Sequence, residues 1–242
     1  MIPSPYYQDS FISLYLGDCV SLMKEMPSES VDCCMTDPPY LVNYQSHHRH
    51  EMLDKIQNDN NPGIIEEAFA QIYRVLKKDA LCLSFYGWPS VESFIVPWKA
   101  IGFKPISHIV FVKNVWGFGQ FTRTGHECAY LLAKGKPRLP DNVPSSVQEM
   151  ERVLDSKHPT PKGYKTLQPL IEAYTRVGDV ILDPFIGGGS FLRSAKNLHR
   201  KGIGIDIKAE YLDEAITLLR QDPLPLQVEE EVPVQGGFNL VY

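Results

Sequence analysis

Short apolar runs alternate along this chain with longer amphipathic stretches. The short runs are typical of buried strands, and apolar residues at three- and four-residue spacing are typical of helices. This alternation predicts an α/β fold with a largely parallel sheet. Strands are predicted at 11–16, 31–35, 80–85, 180–182 and 202–207, and helices at 63–78, 91–100, 166–177, 191–198 and 210–219.

Three further segments complete the pattern. Residues 106–112 and 128–133 are predicted to form an antiparallel hairpin around a glycine-rich aromatic turn. Residues 41–62 are polar and are predicted to be a loop, and 137–161 contain five prolines and are predicted to be irregular. The loop carries His47, His48 and His50, but without a companion carboxylate pattern we interpret it as a polar flap and expect no metal.

The composition is that of an ordinary globular protein. With 242 residues, 43% hydrophobic and 22% charged, the chain excludes a disordered or fibrous class. No apolar run reaches the ~20 residues that cross a bilayer, and the N-terminus lacks a signal-peptide pattern. Five cysteines without a CxxC pair favour free thiols and no zinc site. We therefore expect a cytoplasmic location.

Charge is distributed unevenly. The predicted tail at 222–242 contains four acidic residues and no Lys or Arg. By contrast, residues 99–138 hold seven Lys and Arg against one Glu, a net charge of +6. Such a stretch is compatible with phosphate contacts. It is equally compatible with scattered solvated side chains.

A glycine-rich turn follows the strand at 180–182. Gly187, Gly188 and Gly189 would let the backbone turn sharply and a ligand approach closely. Asp206, which closes the next strand, can accept hydrogen bonds from both hydroxyls of a ribose. Neither GxGxxG nor GK[ST] is present, which argues against a dinucleotide or a P-loop and favours S-adenosylmethionine.

The second candidate for chemistry is Asp37-Pro38-Pro39-Tyr40, which follows the strand at 31–35. The two prolines lack backbone donors, so the chain leaves the sheet there. The tetrapeptide offers a carboxylate, a backbone carbonyl and an aromatic ring. Two fixed acceptors can draw an amino nitrogen out of conjugation and stabilise the charge that methylation develops on it, while the ring stacks on a base.

Together these motifs resemble the amino-group DNA methyltransferases, which modify adenine at N6 or cytosine at N4. The tetrapeptide precedes the glycine turn, as in the permuted β group of that family. The resemblance spans about residues 11–220 and implies a Rossmann-like S-adenosylmethionine-dependent methyltransferase fold. It implies a catalytic role for Asp37, Pro38, Pro39 and Tyr40 and cofactor binding by Asp18, Lys162, Asp183, Phe185, Gly187, Gly189, Ser190 and Asp206.

Three other segments support the resemblance, and three positions depart from it. Leu16-Gly17-Asp18, Tyr73–Lys77 and the His-Pro-Thr-x-Lys element at 158–162 match family segments. Gly163 stands where the family often has Pro, Asp206 where it usually has Glu, and Ser190 where it commonly has Thr. Because none of these departures removes a charge or a needed donor, we expect an active enzyme.

The resemblance implies methyl transfer to a base flipped out of duplex DNA. An Asp in the first position of the tetrapeptide is typical of N6-adenine members, so adenine is the expected target. N4-cytosine and RNA adenine methylation stay as alternatives. A non-enzymatic nucleic-acid-binding protein would be expected to lose Asp37 or the glycines, and a nicotinamide oxidoreductase leaves the tetrapeptide unexplained.

The resemblance also bears on organisation and partners. We expect one catalytic domain at 1–221, in which loop 41–62 and segment 137–157 serve as small target-recognition elements. Lys113 and Arg123 are candidate phosphate contacts on double-stranded DNA. So small a recognition region suggests a short target or a second subunit, and a homodimer is one option. A bacterial, phage or mobile-element origin, with a place in restriction-modification, would suit such an enzyme.

Overall fold

A single mixed sheet connects the described part of the chain, which in this computed structural model is residues 3–40, 63–113, 121–150 and 164–222. Its strands, in the order β1-β2-β9-β8-β3-β4-β6-β5-β7, are β1 (Tyr7–Gln8), β2 (Ile12–Leu16), β3 (Val31–Thr36), β4 (Leu76–Phe85), β5 (Lys104–Lys113), β6 (His126–Ala133), β7 (Val147–Met150), β8 (Val180–Asp183) and β9 (Lys201–Asp206).

Helices cover both faces of the sheet. They are α1 (Cys19–Glu25), α2 (Gly63–Val75), α3 (Glu92–Ile101), α4 (Tyr164–Tyr174), α5 (Ser190–Asn197) and α6 (Ala209–Leu219). Apolar side chains of α1, α2 and α3 bury one face, and those of α4, α5 and α6 bury the other. This arrangement of helices around a mostly parallel sheet confirms the predicted Rossmann-like α/β class.

The direction of the strands explains where a ligand can bind. Strands β2, β9, β8, β3 and β4 pair in parallel, so their carboxyl ends share one edge of the sheet. The predicted hairpin is confirmed, because β6 pairs antiparallel with both β4 and β5. From β3 the chain proceeds outward through β4, then returns to place β8 on the other side of β3. The crevice between β3 and β8 is therefore the switch point at which such sheets bind ligands.

Several elements differ from the sequence prediction. The helix predicted to 78 ends at Val75, and β4 already begins at Leu76, so Lys77 and Lys78 lie in a strand. The Lys77 ammonium bonds to Asp32 on neighbouring β3 at 2.6 Å, which favours the extended conformation. Strand β7 occupies part of the segment predicted to be irregular, because it pairs in parallel with β5 at the edge of the sheet.

Strand β1 and helix α1 were not predicted either. Strand β1 is only two residues long and pairs with β2. Helix α1 has seven residues and begins after Asp18, whose carboxylate accepts from the Ser21 amide at 2.8 Å. Such an N-cap is a recognisable sequence signal for a helix start. The five cysteines are free and buried. No helix within the described ranges has the length and apolar character to cross a membrane.

Candidate active site

Strands β3 and β8 bring together the two motifs that the sequence singled out. The strands pair in parallel through Cys33 with Ile181 and Cys34 with Leu182, so both end at the same edge. At that edge the Thr36 hydroxyl donates to Asp183 Oδ1 at 3.0 Å. Residues 147 positions apart in the sequence are thereby joined directly, and the tetrapeptide lies beside the glycine-rich turn.

The tetrapeptide Asp37-Pro38-Pro39-Tyr40 leaves the sheet at the carboxyl end of β3, as predicted. The Tyr40 ring packs against the core on the side of α4, α5 and α6. Burial, followed by the negative charges of Asp37 and then Glu127, raises the pKa of the Tyr40 hydroxyl well above its usual range. The ring therefore stays neutral and is held next to the Asp37 carboxyl.

Gly87, two residues beyond the end of β4, supports the tetrapeptide. A Cβ atom at this position would lie 2.8 Å from Tyr40 Cβ and 2.9 Å from the Tyr40 carbonyl oxygen. No real side chain tolerates such contacts, so the close approach of the two backbones requires glycine. Sequence reasoning missed Gly87 and Thr36, although a glycine just beyond a buried strand is a signal of close backbone approach.

The glycine-rich turn lies against the end of β9. The Gly187 amide donates to Asp206 Oδ2 at 3.0 Å, and the Lys208 amide donates to Oδ1 at 3.0 Å. Gly189, the N-cap residue of α5, has a φ of 82°, and a Cβ there would lie 2.9 Å from Ala215 Cβ in α6. Gly189 thus permits close packing of α5 on α6, while the Gly187 amide and the Asp206 carboxylate meet at the carboxyl edge of the sheet.

Asp183 is the deeply buried acid of the site. Its Oδ1 accepts from Thr36 and from the Phe185 amide, the latter at 3.2 Å. Burial raises the pKa of Asp183 to about 8, with smaller contributions from Asp37 and Asp206. Its Oδ2 is buried and has no hydrogen-bond partner among the described residues. A donor group of a bound ligand would satisfy that oxygen.

Of the other predicted cofactor residues, Ser190 and Asp18 are described by the structure and Lys162 is not. Ser190 is the first residue of α5 and directly follows the glycines. Asp18 follows β2 at the same edge, where it caps α1 and accepts from the Ser21 hydroxyl at 2.7 Å. Gly17 connects the end of β2 to the end of β9, because its amide donates to the Asp206 carbonyl at 2.9 Å. Lys162, with the whole element at 158–162, lies outside the described residues.

The two candidate phosphate contacts are in different environments. Arg123 is exposed. Lys113, at the end of β5, forms an ion pair with Glu127 at 2.6 Å, and its side chain is only 33% exposed. Lys113 is therefore already paired with a carboxylate, and its role as a phosphate contact stays a prediction. Loop 41–62 with its three histidines, residues 151–157 and the tail beyond Asp222 lie outside the described residues, and no group of three potential metal ligands occurs in the ranges that are described.

Comparisons with known proteins give a consistent family. The model of a DNA methylase family of the N6/N4 type matches residues 31–153 and 140–217. The putative methylase YubD of Escherichia coli K12 is 41% identical over 195 residues, which cover 81% of this chain and 84% of that protein.

Solved structures show the same fold. The M1.HpyAVI–SAM complex aligns with a TM-score of 0.69 at 23% identity, over 87% of this chain and 100% of that one. The cytosine-N4-specific PvuII DNA methyltransferase aligns with a TM-score of 0.73 at 16% identity, over 90% of this chain and 89% of that one.

Proposed function

Because this chain belongs to the N6/N4 DNA methylase family, we propose that it transfers a methyl group from S-adenosylmethionine to N6 of adenine in duplex DNA. The observation that carries the proposal is the hydrogen bond between Thr36 and Asp183, 3.0 Å long, across the switch point. It sets a candidate amino-group site beside a candidate cofactor site, and methyl transfer requires the two to adjoin.

The residues present suit the cofactor. Asp206, whose carboxylate accepts the Gly187 and Lys208 amides, would also accept the ribose hydroxyls, because a carboxylate oxygen can accept more than one hydrogen bond. The buried Asp183 Oδ2 would accept from a donor of the cofactor. S-adenosylmethionine, when bound, supplies a methyl group on a cationic sulfur. Asp18, Lys162, Phe185, Gly187, Gly189 and Ser190 complete the proposed cofactor set.

Asp37-Pro38-Pro39-Tyr40 would hold the target base. The Asp37 carboxylate and the Pro38 carbonyl accept the two hydrogens of the amino group, which draws the nitrogen lone pair out of conjugation. Pro39 lacks an amide donor and keeps this backbone out of the sheet. Tyr40 stacks on the base with a neutral ring. Extruding the base costs a few kcal/mol, which stacking and edge contacts offset.

The choice of adenine rests on Asp37, since Asp in this position is typical of N6-adenine members. N4-cytosine is the second candidate, because the fold also aligns with the cytosine-N4-specific PvuII DNA methyltransferase. RNA adenine is a third substrate that the same tetrapeptide would serve. Identification of the methylated base in the product therefore decides among the three candidate substrates.

The rest of the proposal concerns organisation. Residues 1–221 would form one catalytic domain followed by an acidic tail, with 41–62 and 137–157 as target-recognition elements. The exposed Arg123 would contact the DNA backbone, and Lys113 would also belong to the DNA-binding surface. A homodimer is a separate proposal, which sedimentation of the protein with and without DNA would test.

Transfer of labelled methyl from S-adenosylmethionine to duplex DNA and to RNA of matched sequence tests the function. We expect N6-methyladenine in the duplex, at a position that sequencing of the product can map. Product at cytosine N4, or transfer to RNA alone, would replace the proposed substrate. If the folded protein transfers methyl to none of these acceptors, the proposed function is refuted.

Variants test the site within the same assay. Asp37→Ala should abolish transfer and leave cofactor affinity unchanged, as measured by calorimetry. Asp213→Ala, an exposed aspartate on α6, is the matched control and should transfer normally. Normal turnover of Asp37→Ala would contradict the proposed role.

A further inference from the structure

The Lys113–Glu127 pair lies at the turn end of the β5–β6 hairpin. Lys113 is the last residue of β5, and Glu127 is the second residue of β6, directly opposite Phe111. The Lys113 amide donates to the Gly125 carbonyl at 2.8 Å, so the backbones stay paired up to the turn. The ammonium and carboxylate are 2.6 Å apart. The pair is thus fixed at both the backbone and the side chains.

Both side chains face the side of the sheet on which Tyr40 packs. Alternation along β5 places Lys113 on the same face as Phe111 and Ile109, which belong to the core against which Tyr40 packs. Phe111 stacks on Phe85 with ring centroids 4.7 Å apart. Phe85 ends β4, two residues before the Gly87 that contacts Tyr40.

The pair also lies at the same edge of the sheet as the tetrapeptide. Because β5 is antiparallel to β6, and β6 to β4, strand β5 runs parallel to β4 and ends at the carboxyl edge. The negative charge of Glu127 reaches the Tyr40 hydroxyl and helps to raise its pKa. Position, face and charge therefore all direct the pair toward the place proposed for the base.

A contact to the general DNA backbone does not suit this geometry. Phosphate contacts that carry nonspecific affinity come from cations whose charge is available to the duplex. Lys113 is two-thirds covered, and the Glu127 carboxylate, only 18% exposed, neutralises it. Arg123, exposed in the segment before β6, is the better phosphate contact.

We propose that the Lys113–Glu127 pair forms a wall of the target-base pocket, where Lys113 donates to an acceptor on the edge of the extruded base and Glu127 holds the ammonium in place. An ammonium has three donors, so Lys113 can keep its bond to Glu127 and still contact the base. Adenine and cytosine both carry a ring nitrogen acceptor beside the carbon that bears the amino group. Lys113 is then a base-contacting residue and Glu127 a positioning residue. The inference rests on the proposed function.

The test compares binding to two duplexes that differ only at the mapped target position, one with the base intact and one with an abasic site. Equilibrium binding is measured for Lys113→Met, which keeps most of the length of the side chain and removes its charge. S-adenosylhomocysteine, which has no methyl group to transfer, is present so that the intact duplex stays unmodified. We expect affinity for the intact duplex to fall about 10- to 100-fold, the loss of one charged hydrogen bond, with little change on the abasic duplex. Glu127→Gln should show a smaller loss with the same dependence on the base.

Two variants provide the comparison. Lys104→Met, at the exposed opposite end of β5, should bind both duplexes normally. Arg123→Met should weaken binding to both duplexes alike and flatten the dependence of affinity on salt. Thermal unfolding of each variant verifies that it is folded, and Lys113→Arg, which keeps a cationic donor, should recover part of the loss.

The possible outcomes are separable from failure of the function itself. If the unmodified protein transfers no methyl, the proposed function fails before this question arises. If it transfers methyl and Lys113→Met weakens both duplexes equally with a flatter salt dependence, Lys113 is a phosphate contact and the proposal is overturned. Unchanged binding of Lys113→Met to the intact duplex also overturns it.

Discussion

Replacement of Gly87 by Ala tests whether the tetrapeptide depends on the end of β4. Gly87 has φ −80° and ψ 117°, values that alanine adopts without strain. The effect is therefore steric alone. The added Cβ would lie 2.8 Å from Tyr40 Cβ, whereas carbon atoms in contact are normally about 3.5–4.0 Å apart. Relief of the overlap requires a displacement of about 1 Å.

Tyr40 is the group that must move, because Gly87 is followed at once by the 3₁₀ turn Trp88–Ser90, which contains Pro89. A misplacement of about 1 Å at a reacting centre can lower the rate about 100-fold. We therefore expect turnover of Gly87→Ala to fall by about two orders of magnitude. Cofactor affinity should be unchanged, because Asp18, Asp183 and Asp206 lie at the ends of β2, β8 and β9, whereas Gly87 follows β4. Overpacking should cost about 1–3 kcal/mol of stability.

Single-turnover methyl transfer, calorimetric titration with S-adenosylmethionine and urea denaturation measure these three quantities. Gly178→Ala is the control, since its Cβ would meet nothing within 4 Å but its φ of 87° is unfavourable. It should lose about 1–2 kcal/mol of stability and transfer methyl normally. Normal turnover of Gly87→Ala, or equal losses of turnover and cofactor affinity, would refute the reasoning.

Three further predictions concern buried groups. Thr36→Val removes the donor to Asp183 Oδ1 and should lower the free energy of unfolding by about 1–3 kcal/mol in urea denaturation; an unchanged midpoint would contradict it. Burial raises the pKa of Asp183 to about 8, so the native state keeps a proton that the unfolded chain releases near pH 4. The contribution of Asp183 to the unfolding free energy should therefore decline between about pH 4 and 8, and Asp183→Asn should remove this decline; parallel pH curves for the two proteins would contradict it. The buried cysteines, of which Cys19 has its pKa raised to about 12 by burial, should react with a thiol reagent only after denaturation; rapid reaction of the native protein would contradict this.

Much of the fold was predictable from local pattern. Apolar periodicity identified the central strands and most helices to within a few residues, because a strand or helix that faces a core must carry apolar side chains at its own spacing. The prolines after Asp37 and the glycines after Asp183 likewise marked where the chain leaves the sheet. The family follows from the motifs and their order, and the comparison with known DNA methylases confirmed it.

The sequence misled where local preference and tertiary pairing compete. Lys77 and Lys78 continue a helical pattern, yet pairing with β3 and the bond from Lys77 to Asp32 place them in β4. Strand β7 lies in a proline-rich segment and exists because the edge of β5 offers free backbone groups. Local composition carries no information about which neighbour a segment will find.

The chemistry of the site divides in the same way. Residue type and order along the chain were enough to propose Asp37, Tyr40 and Asp206 as site residues, and their roles stay predictions. Only the tertiary structure joins Thr36 to Asp183, sets Gly87 against Tyr40 and pairs Lys113 with Glu127. Each of these contacts links separate strands or the loops that follow them, and the order of strands in a sheet is decided by how helices of given length pack back across it. A pattern along the chain therefore reveals which groups can react, and the packing of distant segments determines which groups meet.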